Sequence, residues 1–168
     1  MKTHYLIFHA GKSCGNYNAN VVINGEVIQR TQTTKFLGVV LDDKLKWTNH
    51  CQYIKGKIAR GLGILVKARK VLSLKTITSL YYSFLYPYII YGIEVWGTTY
   101  DYNINALLKL QKHAVRMLTG SSFNSHSKVL FNRCNILQIQ KIYINYVMIF
   151  MFKYIQHKLP SMFNEMFG

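Results

Sequence analysis

A small antiparallel β-sheet at the N-terminus followed by a bundle of helices, α+β and mainly α, is the fold that this sequence predicts. Three observations carry that expectation. Asn24-Gly25 stands inside the apolar run Val21-Val22-Ile23 to Val27-Ile28, the strongest short-range signal for a type I′ hairpin. From Cys51 onward, apolar residues recur every three or four positions rather than every second one, which is helical spacing. Half of the 168 residues are hydrophobic and 14% are aromatic, enough for a packed core and too much for a disordered chain.

Taken in order, Tyr5–Phe8 reads as a short strand, Gly11–Asn20 as a polar loop, and Val21–Ile28 as two strands about Asn24-Gly25. Phe36–Leu41 is a further apolar, β-branched run and reads as one strand. The pattern turns helical after Trp47. Thr48 or Asn49 is suited to cap a helix whose apolar positions are Cys51, Ile54, Ile58, Leu62, Leu65 and Leu72. At the helical repeat these fall within about 40° of one line, with Lys57, Arg60, Lys67 and Lys70 on the opposite face. Ser73 is a good N-cap for a second helix bearing Leu74, Ile77, Leu80, Tyr81 and Phe84, and Pro87 ends or kinks it. Tyr88–Gly97 is compatible with helix or strand. A third helix, Ile104–Leu118, packs through Leu107, Leu108, Gln111, Ala114 and Val115, shows Lys109, Lys112 and Arg116 outside, and stops at Gly120. Ser127–Lys158 reads as one or two helices, the last of them apolar almost all round and so either buried or awaiting a partner. A boundary near Trp47 divides the chain into 1–47 and 48–168.

Charge narrows the function. Twenty-one basic residues against six acidic ones leave a net +15, an imbalance that calls for a polyanionic partner. Lys (16) outnumbers Arg (5), as an AT-rich coding sequence would favour, but that bias leaves the shortage of Asp and Glu unexplained. Cys14, Cys51 and Cys134 are far apart, with no CxxC pair and no zinc spacing to the histidines. His4, His9 and Lys12 interrupt any signal-like start. The apolar run Ile142–Phe152 falls short of the about 20 residues that cross a bilayer. The expectation is a soluble intracellular protein, cytoplasmic or nuclear, with buried free cysteines and no membrane partner.

Signals for chemistry are weak. Ala10-Gly11-Lys12-Ser13 follows a strand, but a phosphate loop needs a Gly where Leu6 stands. Asp42-Asp43 invites comparison with paired-magnesium carboxylates. Its flanking residues do not suit that role, and Glu26, Glu94, Asp101 and Glu165 offer no third ligand in a motif, so a turn before Lys44-Leu45-Lys46-Trp47 is expected. The six histidines form no Ser/His/Asp or Cys/His arrangement. What remains is the interleaving of Lys35, Lys44, Lys46, Lys57, Arg60, Lys67 and Lys70 with Phe36, Trp47 and Tyr53. Cations suit phosphates and rings suit exposed bases. The plainer reading puts the three rings in the core and the lysines on a solvated face.

Thr34-Lys35-Phe36-Leu37-Gly38-Val39, then Asp42 and Lys44-Leu45-Lys46-Trp47, resembles the end of the reverse transcriptase domain of non-LTR (LINE-type, jockey-like) retrotransposons. Lys2-Thr3 with Ile7-Phe8, Leu80-Tyr81, Tyr86-Pro87-Tyr88, Tyr91-Gly92, Trp96-Gly97, Leu110-Gln111-Lys112, Ala114-Val115-Arg116 and Thr119-Gly120 extend the match in the same order. The resemblance implies that residues 1–47 are a remnant of the palm with the primer-grip hairpin. It likewise implies that 48–168 are a thumb-like helical bundle with a C-terminal extension. It also implies binding of an RNA/DNA template–primer duplex through Lys35, Phe36, Leu37, Gly38, Lys44, Lys46, Lys57, Arg60, Lys67, Lys70, Lys109, Lys112 and Arg116. The family's aromatic-X-Asp-Asp motif would precede Met1. The chain is therefore expected to be a C-terminal piece of an RNA-directed DNA polymerase, inactive alone, with the missing palm as a further partner. Magnesium is expected only in that palm. Two other readings stand beside it: a decayed pseudogene remnant that exposes its old palm-facing surface at Phe36, Tyr81 and Phe84, and an unrelated basic helical module that binds RNA or protein.

Overall fold

The computed structural model describes residues 3–9 and 19–167. Ala10–Ser13, Cys14, most of the expected polar loop and Lys2 lie outside them. The chain forms two compact units, Met1–Tyr53 and Ile54–Gly168, and mainly α composition with a small sheet at the start is what it shows.

In the first unit, β1 (His4–Tyr5), β2 (Val21–Ile23) and β3 (Glu26–Arg30) form a sheet in the order β1-β3-β2. The β2–β3 pair is antiparallel, with Val21 opposite Ile28 and Ile23 opposite Glu26, and it turns at Asn24 (φ 51°) and Gly25 (φ 81°). Both turn residues are left-handed, which is the I′ geometry that Asn-Gly adopts at least cost. The expected strand Tyr5–Phe8 is shorter, and β1 pairs with β3 in parallel, His4 opposite Gln29.

The stretch from Phe36 to Leu41 is not one strand. It divides into β4 (Thr33–Phe36) and β5 (Val39–Asp42), an antiparallel hairpin pairing Thr33 with Asp42 and Phe36 with Val39. Leu37 (φ 45°) and Gly38 (φ 86°) make a second left-handed turn between them. The apolar β-branched run concealed the turn, because Leu is a poor occupant of that conformation.

After β5, Asp42 organises the chain. One carboxylate oxygen accepts the N–H groups of Lys44 (3.2 Å) and Lys46 (3.0 Å), and the other accepts that of Trp47 (2.9 Å). The expected turn is therefore real and is held by the aspartate itself. It ends at Trp47, whose indole is core. Helix α1 (Thr48–Ala68) follows, and Cys51 N–H donates to the Trp47 carbonyl. Thr48 and Asn49, expected as caps, thus lie already inside the helix. Ile28, Trp47, His50 and Cys51 are the buried centre of this unit.

In the second unit, Ile54, Ile58, Leu62 and Leu65 of α1 are each 5% exposed or less, and each such burial contributes about 1.5–3 kcal/mol. Leu72, expected on the same stripe, lies past the end of α1 and is exposed. A Cβ at Gly61 would come within 2.7 Å of Leu85 Cδ1, so that glycine permits the close approach made there. Ser73 caps α2 (Leu74–Phe84), its hydroxyl accepting the Thr76 N–H. Pro87 interrupts and restarts the helix, and most of 88–97 is helical: α3 (Tyr86–Ile90) and α4 (Ile93–Trp96), joined by a turn through left-handed Gly92. Helix α5 (Asp101–Thr119) packs on α2, on α6 (Ser127–Arg133) and on α7 (Ile139–Ile155). The five expected packing positions of α5 are buried, and Gly120 takes the left-handed C-cap at φ 71°. Arg69 Nη1 donates to the Met117 and Leu118 carbonyls, placing a cation at the negative end of α5. A short α8 (Met162–Phe167) ends the described chain.

Gln111 ties three of these helices together. Its Nε2 donates to Tyr81 Oη (3.1 Å) and to the Leu137 carbonyl (2.8 Å), while its Oε1 accepts the Ile139 N–H (3.0 Å). An amide buried to 1% exposure thus satisfies an orphan donor in the first turn of α7. Burial raises the Tyr81 hydroxyl far above the ordinary phenol range, partly offset by the Gln111 hydrogen bond.

Candidate nucleic-acid interface

Unit 1 brings six of the expected residues to two places. The first is the tip of the β4–β5 hairpin. Phe36 is 61% exposed and Leu37 74%, and Gly38 is exposed beside them. Lys35 on β4 donates to Tyr53 Oη at 3.1 Å and lies 4.7 Å from that ring's centroid. A left-handed leucine costs about 1–2 kcal/mol, and this one is largely exposed. The other hairpin of the same unit turns through Asn-Gly and carries no such cost. Of the three rings read with the lysines, Trp47 belongs to the core, Phe36 is presented to solvent, and Tyr53 is half-buried under Lys35.

The second place is a cleft of about 240 Å³ lined by Gln32, Thr33, Asp42, Asp43, Lys44, Lys46, Thr48 and Asn49. Lys44 and Lys46 are exposed at it. Asp42, whose oxygens accept three backbone N–H groups, shapes this loop. Among the described residues, no group of three or more His, Cys, Asp and Glu side chains is placed to hold a metal ion.

The hairpin is steadied by His50, 2% exposed, whose Nδ1 accepts the Val40 N–H at 3.2 Å. Burial lowers the His50 pKa from 6.5 to about 4, so at neutral pH the ring is uncharged and able to accept. Sequence reading passed over His50. Its partner is a backbone group ten residues away, which no motif encodes.

Unit 2 carries the rest. Arg60 and Lys67 are exposed on α1, opposite its buried stripe. Gly56 and Gly63 share that outer side, and an added Cβ at either would meet nothing within 4 Å. Lys57 is half-buried, its Nζ 5.7 Å from the centroid of the Tyr88 ring. Lys70 is exposed but sits in the turn after α1. On α5, Lys109 is exposed and Lys112 half-buried. Arg116 donates through Nε and Nη2 to the Ser125 carbonyl and stacks over Phe123 at 5.5 Å, so much of its donor capacity is spent on holding the loop after α5. Lys55 and Lys75, not singled out in the sequence, are exposed as well. Tyr81, expected on an abandoned palm-facing surface, is fully buried, whereas Phe84 is 41% exposed. Cys51 is buried and Cys134 half-buried, and neither is in a disulfide.

Over 105 residues, 60% of this chain, it is 33% identical to the RNA-directed DNA polymerase from mobile element jockey of Drosophila melanogaster. It is 22% identical over 133 residues to the probable RNA-directed DNA polymerase from transposon BS, and 30% identical over 104 residues to that from transposon X-element, both of the same fly. The chain resembles retrotransposon RNA-directed DNA polymerases. That bears out the jockey-like resemblance read from Thr34–Trp47 and the motifs after it. The matched stretches span only 11–15% of these polymerases. No family profile matches the chain, and no solved structure matches it. Among the described residues, no helix is long and apolar enough to cross a membrane.

Proposed function

We propose that this chain is the primer-grip and thumb-like portion of a retrotransposon RNA-directed DNA polymerase, holding a template–primer duplex through backbone phosphates without performing the polymerase chemistry itself. The observation that carries the reading is the β4–β5 tip. An exposed Phe36-Leu37-Gly38 turn, strained at Leu37 and flanked by Lys35, stands in the segment whose motif resembles the primer grip. In this reading Phe36 and Leu37 rest against the sugars and bases of the primer end. Lys44 and Lys46 at the cleft, and Arg60, Lys67 and their neighbours in the second unit, face phosphates. Lys57 and Arg116 contribute less, since a ring holds one and a carbonyl the other. In this reading the catalytic magnesium belongs to aspartates elsewhere in the polymerase. A palm supplied by the remainder of the polymerase is the natural partner, and the cytoplasm or nucleus the place of action.

Titrating binding to an RNA/DNA hybrid against salt tests this directly. If about five phosphates are contacted, log K falls against log salt with a slope near −4.5. Replacing Lys57, Arg60, Lys67 and Lys70 with Gln should flatten the slope while leaving the thermal transition in place. Affinity indifferent to salt would overturn the reading. A strong preference for one single-stranded sequence would favour an RNA-binding module of another kind.

A further inference from the structure

One turn of α1 holds both members of a cross-strand pair in the β4–β5 hairpin. Lys35 and Val40 stand opposite each other in that ladder. His50 Nδ1 accepts the Val40 N–H at 3.2 Å, and Tyr53 Oη accepts from the Lys35 ammonium at 3.1 Å. His50 and Tyr53 are three residues apart and so share one side of the helix, their ring centroids 6.3 Å apart and their planes 24° from parallel. All four residues belong to the first unit. The next pair outward is Phe36 with Val39, and beyond it only the left-handed turn Leu37-Gly38 remains. The helix therefore grips the hairpin one pair short of its exposed tip.

What holds Lys35 is uncharged, and that matters for its use. An exposed lysine samples many rotamers and loses that freedom on binding. Here the bond to Oη and the ring, whose centroid lies 4.7 Å from Nζ, restrict the side chain beforehand. A carboxylate could restrict it equally well but would cancel its charge. Residues 1–53 contain three acids, Glu26, Asp42 and Asp43. Asp42 is engaged by backbone N–H groups and Asp43 lies 3.4 Å from His9. Among the described residues Lys35 makes no ion pair. An ammonium has three donors, so one bond to a phenol leaves the charge uncancelled and donors to spare for an anion.

We propose that Tyr53 is a positioning residue that acts through Lys35, holding its ammonium beside the Phe36-Leu37-Gly38 tip to receive one phosphodiester of the bound strand. The inference rests on the duplex reading above and assigns a residue outside the basic set to that site. The experiment measures RNA/DNA hybrid affinity against salt for the unsubstituted chain, Lys35→Gln, Tyr53→Phe and the two together. Lys35→Gln should make the slope of log K against log salt shallower by about 0.9, the share of one phosphate. Tyr53→Phe removes a hydrogen bond and no charge, so affinity should fall roughly three- to tenfold with the slope unchanged. On the Lys35→Gln background, Tyr53→Phe should change nothing. The ring stays against His50, so the unfolding midpoint read from Trp47 should hold. In the free chain, carbon-13 relaxation at Lys35 Cε should show a more mobile side chain in Tyr53→Phe, a readout that needs no nucleic acid. Full affinity in Tyr53→Phe, or the same loss with and without Lys35, overturns the proposal. So does a Lys35 side chain no more mobile without the hydroxyl. Affinity indifferent to salt in the unsubstituted chain overturns the duplex reading, and the phosphate contact of Lys35 with it. Salt-dependent binding in which Lys35 and Tyr53 act independently overturns the positioning role and leaves the duplex reading standing.

Discussion

Leu37 is where stability and the proposed contact pull apart. Its φ of 45° suits Asn, and Asn24 occupies the equivalent place in the neighbouring hairpin. Leu37→Asn should therefore stabilise the first unit by about 1 kcal/mol and weaken hybrid binding, measured by denaturant unfolding and by titration of the same protein. A variant that gained stability and kept its affinity would remove Leu37 from the interface. Asp42 shows the opposite case. Its carboxylate draws three N–H groups into the loop that presents Lys44 and Lys46, so the turn expected there is made by the aspartate's own hold on the backbone. Gln111 is comparable. Listed by spacing among apolar packing positions, it is buried because each of its bonds meets a partner from another element.

At the scale of elements, α1 meets different demands on its two sides. Gly61 faces Leu85 and the Phe84 carbonyl, the latter 3.2 Å from where a Cβ would stand. Gly56 and Gly63 face open space. Gly61→Ala should cost about 1–3 kcal/mol by overpacking, whereas Gly63→Ala should gain about 0.5–1 kcal/mol from helix propensity. Thermal unfolding of the two variants reads the contrast. Equal effects would mean that α1 does not pack as described. The hairpin β4–β5 carries the other lesson of this scale. An apolar run of six residues looks the same whether it stays extended or folds back, and only pairing partners decide between them. Helices α1, α2 and α5 were legible because a 3.6-residue period repeats through several turns, and Ser73 and Gly120 mark two of their ends.

At the scale of the molecule, each unit holds one tryptophan, Trp47 in the first and Trp96 in the second, both buried. Trp96→Phe and Trp47→Phe then report the two units separately. His50 sits in the first. Its folded pKa of about 4 lies below the ordinary 6.5, so the unfolded chain binds more protons in between. The stability that neutral His50 confers is complete above pH 6.5 and is lost as pH falls towards 4. Trp47 fluorescence should therefore report weakening of the first unit across that window, and His50→Asn should reduce the dependence. A transition insensitive to pH between 6.5 and 4 would show that His50 is not the titrating group.

By itself the sequence determined the mainly helical fold with its small sheet, the Asn24-Gly25 hairpin, the buried stripe of α1, and the likeness to jockey-type polymerases. All of these are written in local periodicity, turn residues or ordered motifs. The basic excess belongs with them, since charge is additive and needs no fold. Tertiary structure alone decided that Phe36 faces solvent while Trp47 and Tyr81 are enclosed, that His50 serves the backbone, that Arg69 closes α5, and that the outer side of α7 stays exposed. Each of these depends on what lies across a gap in sequence, such as the 48 residues from Arg69 to Met117. Burial and pairing belong to the folded surroundings of a residue, which neither its identity nor its near neighbours specify.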